Sequence, residues 1–352
     1  MKKEVDYLII GQGLAGSLLA YQLLERGKTV QIIDNHHNGA SSSIAAGIIN
    51  PITGRRFAKS WRIDEFLPFS KAYYQKLEQK FAVKIFHDRS VLRFLNGNKD
   101  INDWHGRSSW EGFTEYMKEF KNMEELAHLF HLSFGIGEIN PAAQVDIPVL
   151  INIFKKYFKE KDIIDFQDID YQAVKYNGVN GEYNGVQAKK VVYCEGHRAR
   201  FNPWFEKILF EPAKGEVLFL KIPNLNFEQI LKSKIMMAPF GDDIYWTGSN
   251  YEWDALNDQP TAAFKQDFVK RIAQTLKLPF EVIDHKAAIR PTIKDRRPIL
   301  GVHPDNAQIA IFNGLGTKGA SLGPFWAKEM AEHLIDDKPL DPEVDIRRFF
   351  IA

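Results

Sequence analysis

VDYLIIGQGLAGSLLAYQLLERGKTVQIID, residues 5–34, is a strand, a glycine-rich turn, a helix and a second strand in succession. The apolar residues 7–10 end in Gly11-Gln12-Gly13-Leu14-Ala15-Gly16. A second apolar run, 30–33, closes on Asp34, 18 residues past Gly16, and Asn35 follows. Each glycine has a mechanical reason. Gly11 permits the tight strand-to-helix turn, Gly13 lets backbone approach a pyrophosphate, and Gly16 lets the helix pack on the sheet. The helix start at Leu14 and Ala15 offers free N–H groups and positive dipole to phosphate oxygens. Asp34 stands where a carboxylate meets a ribose hydroxyl. This stretch predicts a dinucleotide-binding βαβ unit.

The chain has 352 residues, too many for one ordinary core, so two domains are expected. Its formal net charge of +1 argues against bulk attraction to nucleic acid or an anionic membrane. Cys194 is the single cysteine, which excludes an internal disulfide. Lys2-Lys3 precede an apolar run too short for a signal peptide, and no run approaches the ~20 residues of a membrane span. These features predict a mature cytoplasmic protein. His36-His37 lack a third ligand at metal spacing and are read as surface, with no metal site expected.

Further along, 64–81 has helical pattern and 83–94 turns strand-like. Residues 100–120 are rich in Trp, Gly and Ser with weak periodicity. Residues 146–159 predict a helix capped by Asp146 with Pro148 in its first turn. Short strands with Asn-Gly turns at 177–178 and 184–185 fill 163–194. Residues 215–222 and 233–249 alternate like sheet strands, 261–277 is helical, and 324–336 is a helix behind a Gly-rich loop. Nucleotide-type signals occur near both termini and in the middle, with antiparallel character between them. The fold class expected is α/β (α+β overall): a Rossmann-like domain interrupted by a mostly antiparallel-sheet substrate domain. The boundaries expected are 1–80, 142–205 and 283–352 for the first and 81–141 and 206–282 for the second. An interrupted nucleotide domain favours a flavin over a nicotinamide.

Five separated motifs resemble the D-amino-acid oxidase/glycine oxidase superfamily of FAD enzymes. The first is the fingerprint. The second is Ser41-Ser42-Ser43-Ile44-Ala45-Ala46-Gly47-Ile48-Ile49, similar to the loop that passes the flavin in glycine oxidases. The third is Val191-Val192-Tyr193-Cys194-Glu195-Gly196, and the fourth Pro212-Ala213-Lys214-Gly215-Glu216-Val217. The fifth is Ile289-Arg290-Pro291-Thr292-Ile293-Lys294-Asp295 with Pro298 and Gly301, then Asn313-Gly314-Leu315-Gly316-Thr317-Lys318-Gly319 and Pro324. There are departures. Asp34 replaces the usual Glu, Met236 stands where glycine oxidases have a substrate-touching Tyr, and Thr317-Lys318 replace a flavin-loop Arg. The 314–319 loop is closer to the oxidase half of the bifunctional enzymes that modify tRNA wobble uridine.

The resemblance implies FAD as cofactor and Arg290, Lys318 and Met236 as catalytic positions. It implies cofactor contacts from Gly11, Gly13, Leu14, Ala15, Gly16, Asp34, Asn35, Ser42, Ser43, Ala46, Gly47, Ile48 and Ile169, and from Cys194, Glu195, Gly196, Gly314, Leu315, Gly316, Thr317 and Gly319. Alternatives stand beside several roles. Arg290 either forks a substrate carboxylate or pairs with an acid such as Asp295. Lys318 meets the flavin or solvent. Ser42 and Ser43 contact cofactor or cap a turn. Arg55 and Arg56 either reach a substrate anion or lie on the surface, Cys194 reads as packing, and Trp104, Trp110, Trp246 and Trp253 read mostly as core, with one or two walling the pocket. The activity implied is oxidation of the C–N bond of a small amino acid or N-substituted glycine, by hydride transfer to flavin N5. The second reading is oxidation of a carboxymethylaminomethyl-uridine in tRNA, a partner less favoured by the charge. The third is a non-catalytic FAD-binding protein.

Overall fold

In the computed structural model, which describes residues 3–35, 37, 39–132 and 134–350, the strand Lys3–Ile10 runs parallel to Val30–Asp34 and to Val186–Tyr193. Ile164–Phe166 continues the sheet on one side and Asn306–Asn313 on the other, again in parallel. Strands covered on both faces read as unbroken apolar runs, which is why 7–10, 30–33 and 309–312 carry almost no polar residue. The helix Leu14–Glu25 makes the crossover between the first two strands. Lys175–Tyr176, Gly181–Tyr183 and Val186–Tyr193 form antiparallel neighbours. Their second turn places Asn184 at φ 46° and Gly185 at φ 79°, the left-handed pair a two-residue hairpin needs. One core cluster, including Leu8, Ile10, Val191, Tyr193, Ile293 and Ile311, fills this unit.

The second unit is built on an eight-stranded sheet in the order Glu281–Arg290, Ala213–Lys221, Ile244–Gly248, Met236–Pro239, Ile230–Lys232, Val91–Leu95, Gly135–Ile139, Met117–Glu119. The pairing is antiparallel along 213–248, and parallel where Ile230–Lys232 meets Val91–Leu95. Its core includes Leu92, Phe94, Phe130, Leu218, Leu231 and Ile272.

The first unit comprises Met1–Ala45, Ile147–Ala213 and Ile289–Ala352; the second comprises Ala46–Asp146 and Lys214–Ala288. The mixed, interrupted architecture agrees with the sequence reading, while the boundaries differ from those expected. Residues 46–80 and 142–146 join the second unit because Ile48–Ile49 pairs with Ala143–Val145, which pairs in turn with Phe86–Asp88. Residues 206–213 join the first because Phe210 bridges Ile293 and Glu211 N–H donates to Thr292 O. Residues 283–288 belong to the strand beside Ala213–Lys221.

Locally, the helix predicted at 64–81 spans Ile63–Phe81, and that at 146–159 spans Ile147–Glu160. The Asp146 carboxylate lies 2.9 Å from His87 Nε2 rather than capping the helix. A helix, Asn98–Ser108, occupies part of the stretch without clear periodicity and buries Trp104. The last helix begins at Gly319, within the loop predicted to precede it. Trp104 and Trp246 are core, but Trp110 and Trp253 are exposed, contrary to a mostly core reading.

Candidate active site

The fingerprint glycines are dictated by close approach. Gly11 has φ 106°, and a Cβ there would come within 2.5 Å of Cys194 O. A Cβ on Gly16 would fall 1.9 Å from Gly11 O. Gly13 differs: the nearest atom to an added Cβ is Ser42 Oγ at 3.6 Å, so its hydrogen faces open space. The helix Leu14–Glu25 starts there with no side-chain cap on Gly13 and no acidic residue in the first turn. Leu14 N–H donates to Ser42 Oγ at 3.1 Å, and Gln12 N–H donates to Asp34 Oδ2 at 2.7 Å. A helix start with no acidic residue in its first turn, space over a glycine and an acid at the second strand end fit the diphosphate and ribose of a dinucleotide.

The separated motifs of the first unit converge on this point. Ala40, just before the Ser41–Ser43 turn, bridges Ile289, the neighbour of Arg290. Arg290 O accepts Thr292 N–H at 2.9 Å. Thr292 Oγ1 lies 4.0 Å from where Gly316 would carry a Cβ, and Ile293 fills the space beside Gly314. Leu315 is buried and Thr317 exposed. Gly319 and Gly323 admit Leu14 and Leu18, since added Cβ atoms would meet those side chains at 2.9 and 2.7 Å. The last helix therefore packs its N-terminus beside that of Leu14–Glu25. Lys318 is its N-cap residue, half-buried. Burial holds the Lys318 ammonium below its ordinary pKa, with Arg297 and Arg296 adding to the effect. Asp295, the acid considered as a partner for Arg290, pairs with Arg348 at 2.9 Å.

Cys194 is buried against the fingerprint glycines, and burial together with the Glu195 charge pushes its thiol pKa up. Its side chain packs there. Glu195 accepts Tyr171 OH at 2.6 Å and Asn202 Nδ2 at 3.1 Å. Burial raises its pKa to about 7, against the lowering by those bonds and by Arg198. Asn313 Nδ2 donates to Gly196 O at 2.8 Å, tying the third motif to the fifth. Ser43 Oγ donates to Ala40 O at 2.7 Å, within its own turn. Asn35 Nδ2 donates to Asp168 Oδ1 at 2.9 Å, and Ile169 packs against the unit's core.

Ala46, Gly47, Ile48 and Met236 belong to the second unit. Gln144 fixes that stretch: its Nε2 donates to Ala46 O at 3.0 Å and to Pro239 O at 2.8 Å. A lone Gln with no motif around it was not singled out from sequence. The fourth motif proves structural in its contacts. Lys214 Nζ donates to Asn257 Oδ1 at 2.9 Å, and Glu216 accepts Thr261 N–H at 2.6 Å and contacts His285 at 3.0 Å. Arg55 and Arg56 are exposed. His37 stacks edge-on with His197, and His36 lies outside the described residues. Among the described residues no group of three His, Cys, Asp or Glu side chains could hold a metal ion, and no helix is long and apolar enough to cross a membrane.

The sequence profile of the family described as FAD dependent oxidoreductase matches residues 6–333. The chain belongs to this FAD-dependent oxidoreductase family. Its cofactor is FAD. The flavoenzyme is 22% identical over 360 residues to the tRNA 5-methylaminomethyl-2-thiouridine biosynthesis bifunctional protein MnmC of Marinobacter nauticus, covering 94% of this chain and 54% of that protein. It thus spans about half the length of the MnmC relatives it matches. It is 23% identical over 350 residues to the glycine oxidase of Bacillus subtilis, covering 92% of this chain and 91% of the other. Among solved structures, glycine oxidase from Geobacillus kaustophilus superposes with a TM-score of 0.82 at 19% identity, over 99% of this chain and 98% of that one. That likeness shows a shared fold.

Proposed function

We propose that this flavoenzyme oxidises the C–N bond of a small amino acid or N-substituted glycine. The carbon beside nitrogen gives up a hydride, nitrogen gives up a proton, and the imine formed is hydrolysed to a carbonyl compound and an amine. FAD supplies the hydride acceptor at flavin N5. One observation carries the reading: the backbone at Arg290 is held between the Ser41–Ser43 turn, through the Ile289–Ala40 bridge, and the Gly314–Gly319 loop, through Thr292.

On this reading Arg290 grips the substrate carboxylate with its planar fork, fixing orientation as well as charge. Holding the reacting carbon in one geometry is the protein's main contribution to rate. Gly11, Gly13, Leu14, Ala15 and Gly16 hold the diphosphate, and Asp34 with Asn35 the ribose. Ser42, Ser43, Ala46, Gly47, Ile48, Ile169, Cys194, Glu195, Gly196, Gly314, Leu315, Gly316, Thr317 and Gly319 complete the cofactor set. Lys318 and the start of the last helix bring positive charge for the electron density that gathers on reduction. Met236 takes the place of the substrate-touching tyrosine.

A second reading, oxidation of the carboxymethylaminomethyl group of a tRNA uridine, is favoured by the MnmC relatives and shares this chemistry, since that group is an N-substituted glycine. An anaerobic flavin-bleaching screen of glycine, sarcosine, D- and L-amino acids and modified tRNA tests both. Bleaching by a small amine supports the first, bleaching by tRNA alone the second. No bleaching by any of them refutes both.

A further inference from the structure

The second unit contains a cavity of about 60 Å³ whose lining includes Thr53, Phe57, Arg93, Lys232 and Met236. Two cations in one small cavity need an explanation. Arg93 lies on Val91–Leu95 and Lys232 on the parallel neighbour Ile230–Lys232, in direct register. Like charges set opposite each other on adjacent strands repel. Among the described residues, neither makes an ion pair with a carboxylate. Asp100 is the one acid whose charge acts on Arg93, and its Oδ2 accepts the Asn96 N–H at 3.0 Å. The Arg93 guanidinium lies over the Phe57 ring at 5.5 Å, and its Nε is buried with no hydrogen-bond partner.

A buried donor left without an acceptor is destabilising, and a buried charge without a counter-charge more so. Both costs vanish together if an anion with several acceptor oxygens occupies the cavity. We propose that Arg93 and Lys232 bind a small oxyanion, a carboxylate or a phosphate group, in this cavity. A guanidinium fork beside an ammonium suits such a group, and the volume accommodates its head. Burial pushes the Lys232 ammonium down to about 8, with the Arg93 charge adding to the shift. A bound anion favours the charged form and would raise it again. Met236 lines the same cavity and pairs in register with Lys232. In the step that rests on the function proposed above, the anion is a second acidic group of the amine substrate.

Melting of the FAD-loaded protein at pH 7, in sodium acetate or sodium phosphate against sodium chloride of equal ionic strength, tests the site. The parent melts higher in at least one of the two oxyanions, and the more effective one identifies the source. Arg93→Met and Lys232→Met lose that response. Each melts no lower than the parent in chloride, because one of two facing cations is gone. A response equal in the parent and both variants, or none in the parent, overturns the proposal. The substrate step is read separately, by anaerobic flavin reduction with iminodiacetate, which is sarcosine with one hydrogen of its N-methyl group replaced by a carboxylate, and with sarcosine itself. Its expected result is a tenfold or greater fall in the iminodiacetate-to-sarcosine rate ratio in Arg93→Met. An unchanged ratio removes the substrate from this site. Failure of both amines to reduce the parent's flavin refutes their use as substrates, while the melting arm still decides the anion site.

Discussion

Ser42 Oγ accepts the N–H of Leu14 at 3.1 Å, so a residue of the second motif caps the helix opened by the first. Gly13, at the N-cap position, has no side chain to do this. The serine-rich loop is thereby pinned to the nucleotide fingerprint before any cofactor is considered.

Ser42→Ala should therefore lower stability even without FAD. Loss of such a cap costs about 0.5–2 kcal/mol. Urea unfolding of the apoprotein measures it, as a lower midpoint at unchanged slope. An unchanged midpoint would mean that water replaces the hydroxyl without loss.

Gly13 and Gly16 should respond differently to added side chains. Gly16→Ala drives a Cβ to 1.9 Å from the Gly11 carbonyl and should prevent normal folding. The Cβ of Gly13→Val meets only Ser42 Oγ, at 3.6 Å, so the chain should fold, but the valine fills the space a diphosphate requires. Circular dichroism should match the parent apoprotein while flavin absorbance of the purified protein is lost. Parent-level flavin in Gly13→Val would place the diphosphate elsewhere.

The nucleotide half of this fold was legible because its signals are local: a turn that demands glycine, two apolar runs and a terminal acid within thirty residues or so. The unit boundary after Ala45 was not. Ile48–Ile49 takes its partner from Ala143–Val145, almost a hundred residues away, and nothing in 46–80 announces that pairing. The start of the last helix was hidden for a related reason. Gly319 and Gly323 have poor helix propensity, yet contact with Leu14 and Leu18 makes small residues necessary there. Arg93 and Lys232 carry no motif at all; only strand register brings them together. Among candidate site residues, close-approach glycines were readable, whereas the Tyr171 and Asn202 bonds to Glu195 depend on tertiary placement.

Glu195→Gln should remove a pH-dependent cost. Burial lifts the Glu195 pKa from 4.5 to about 7 in the folded protein. Between those values the folded carboxyl keeps its proton while the unfolded one has lost it, so stability falls as pH rises across that window. Glutamine stays neutral. The stability of Glu195→Gln relative to the parent should rise between pH 5 and pH 8, by about 1–2 kcal/mol after allowance for partial solvent screening. Urea midpoints at the two pH values decide it, and a difference independent of pH would show that Glu195 ionises normally.

Arg290→Lys separates substrate anchoring from cofactor binding. Lysine keeps the positive charge but loses the planar fork, so any effect reports geometry. If Arg290 holds the substrate carboxylate, flavin content stays at the parent's level, because the diphosphate and ribose contacts are untouched. The anaerobic reduction rate at low substrate should fall about ten- to a hundredfold, or ~1.4–2.7 kcal/mol of lost transition-state stabilisation. The alternative partner, Asp295, is already paired with Arg348 at 2.9 Å, so breaking an Arg290–Asp295 bridge does not account for such a loss. Stopped-flow bleaching of the flavin supplies the rate, and thermal melting checks that the variant is folded. A folded, fully flavinated variant that bleaches at the parent's rate would exclude Arg290 as the anchor and shift that role to Lys318.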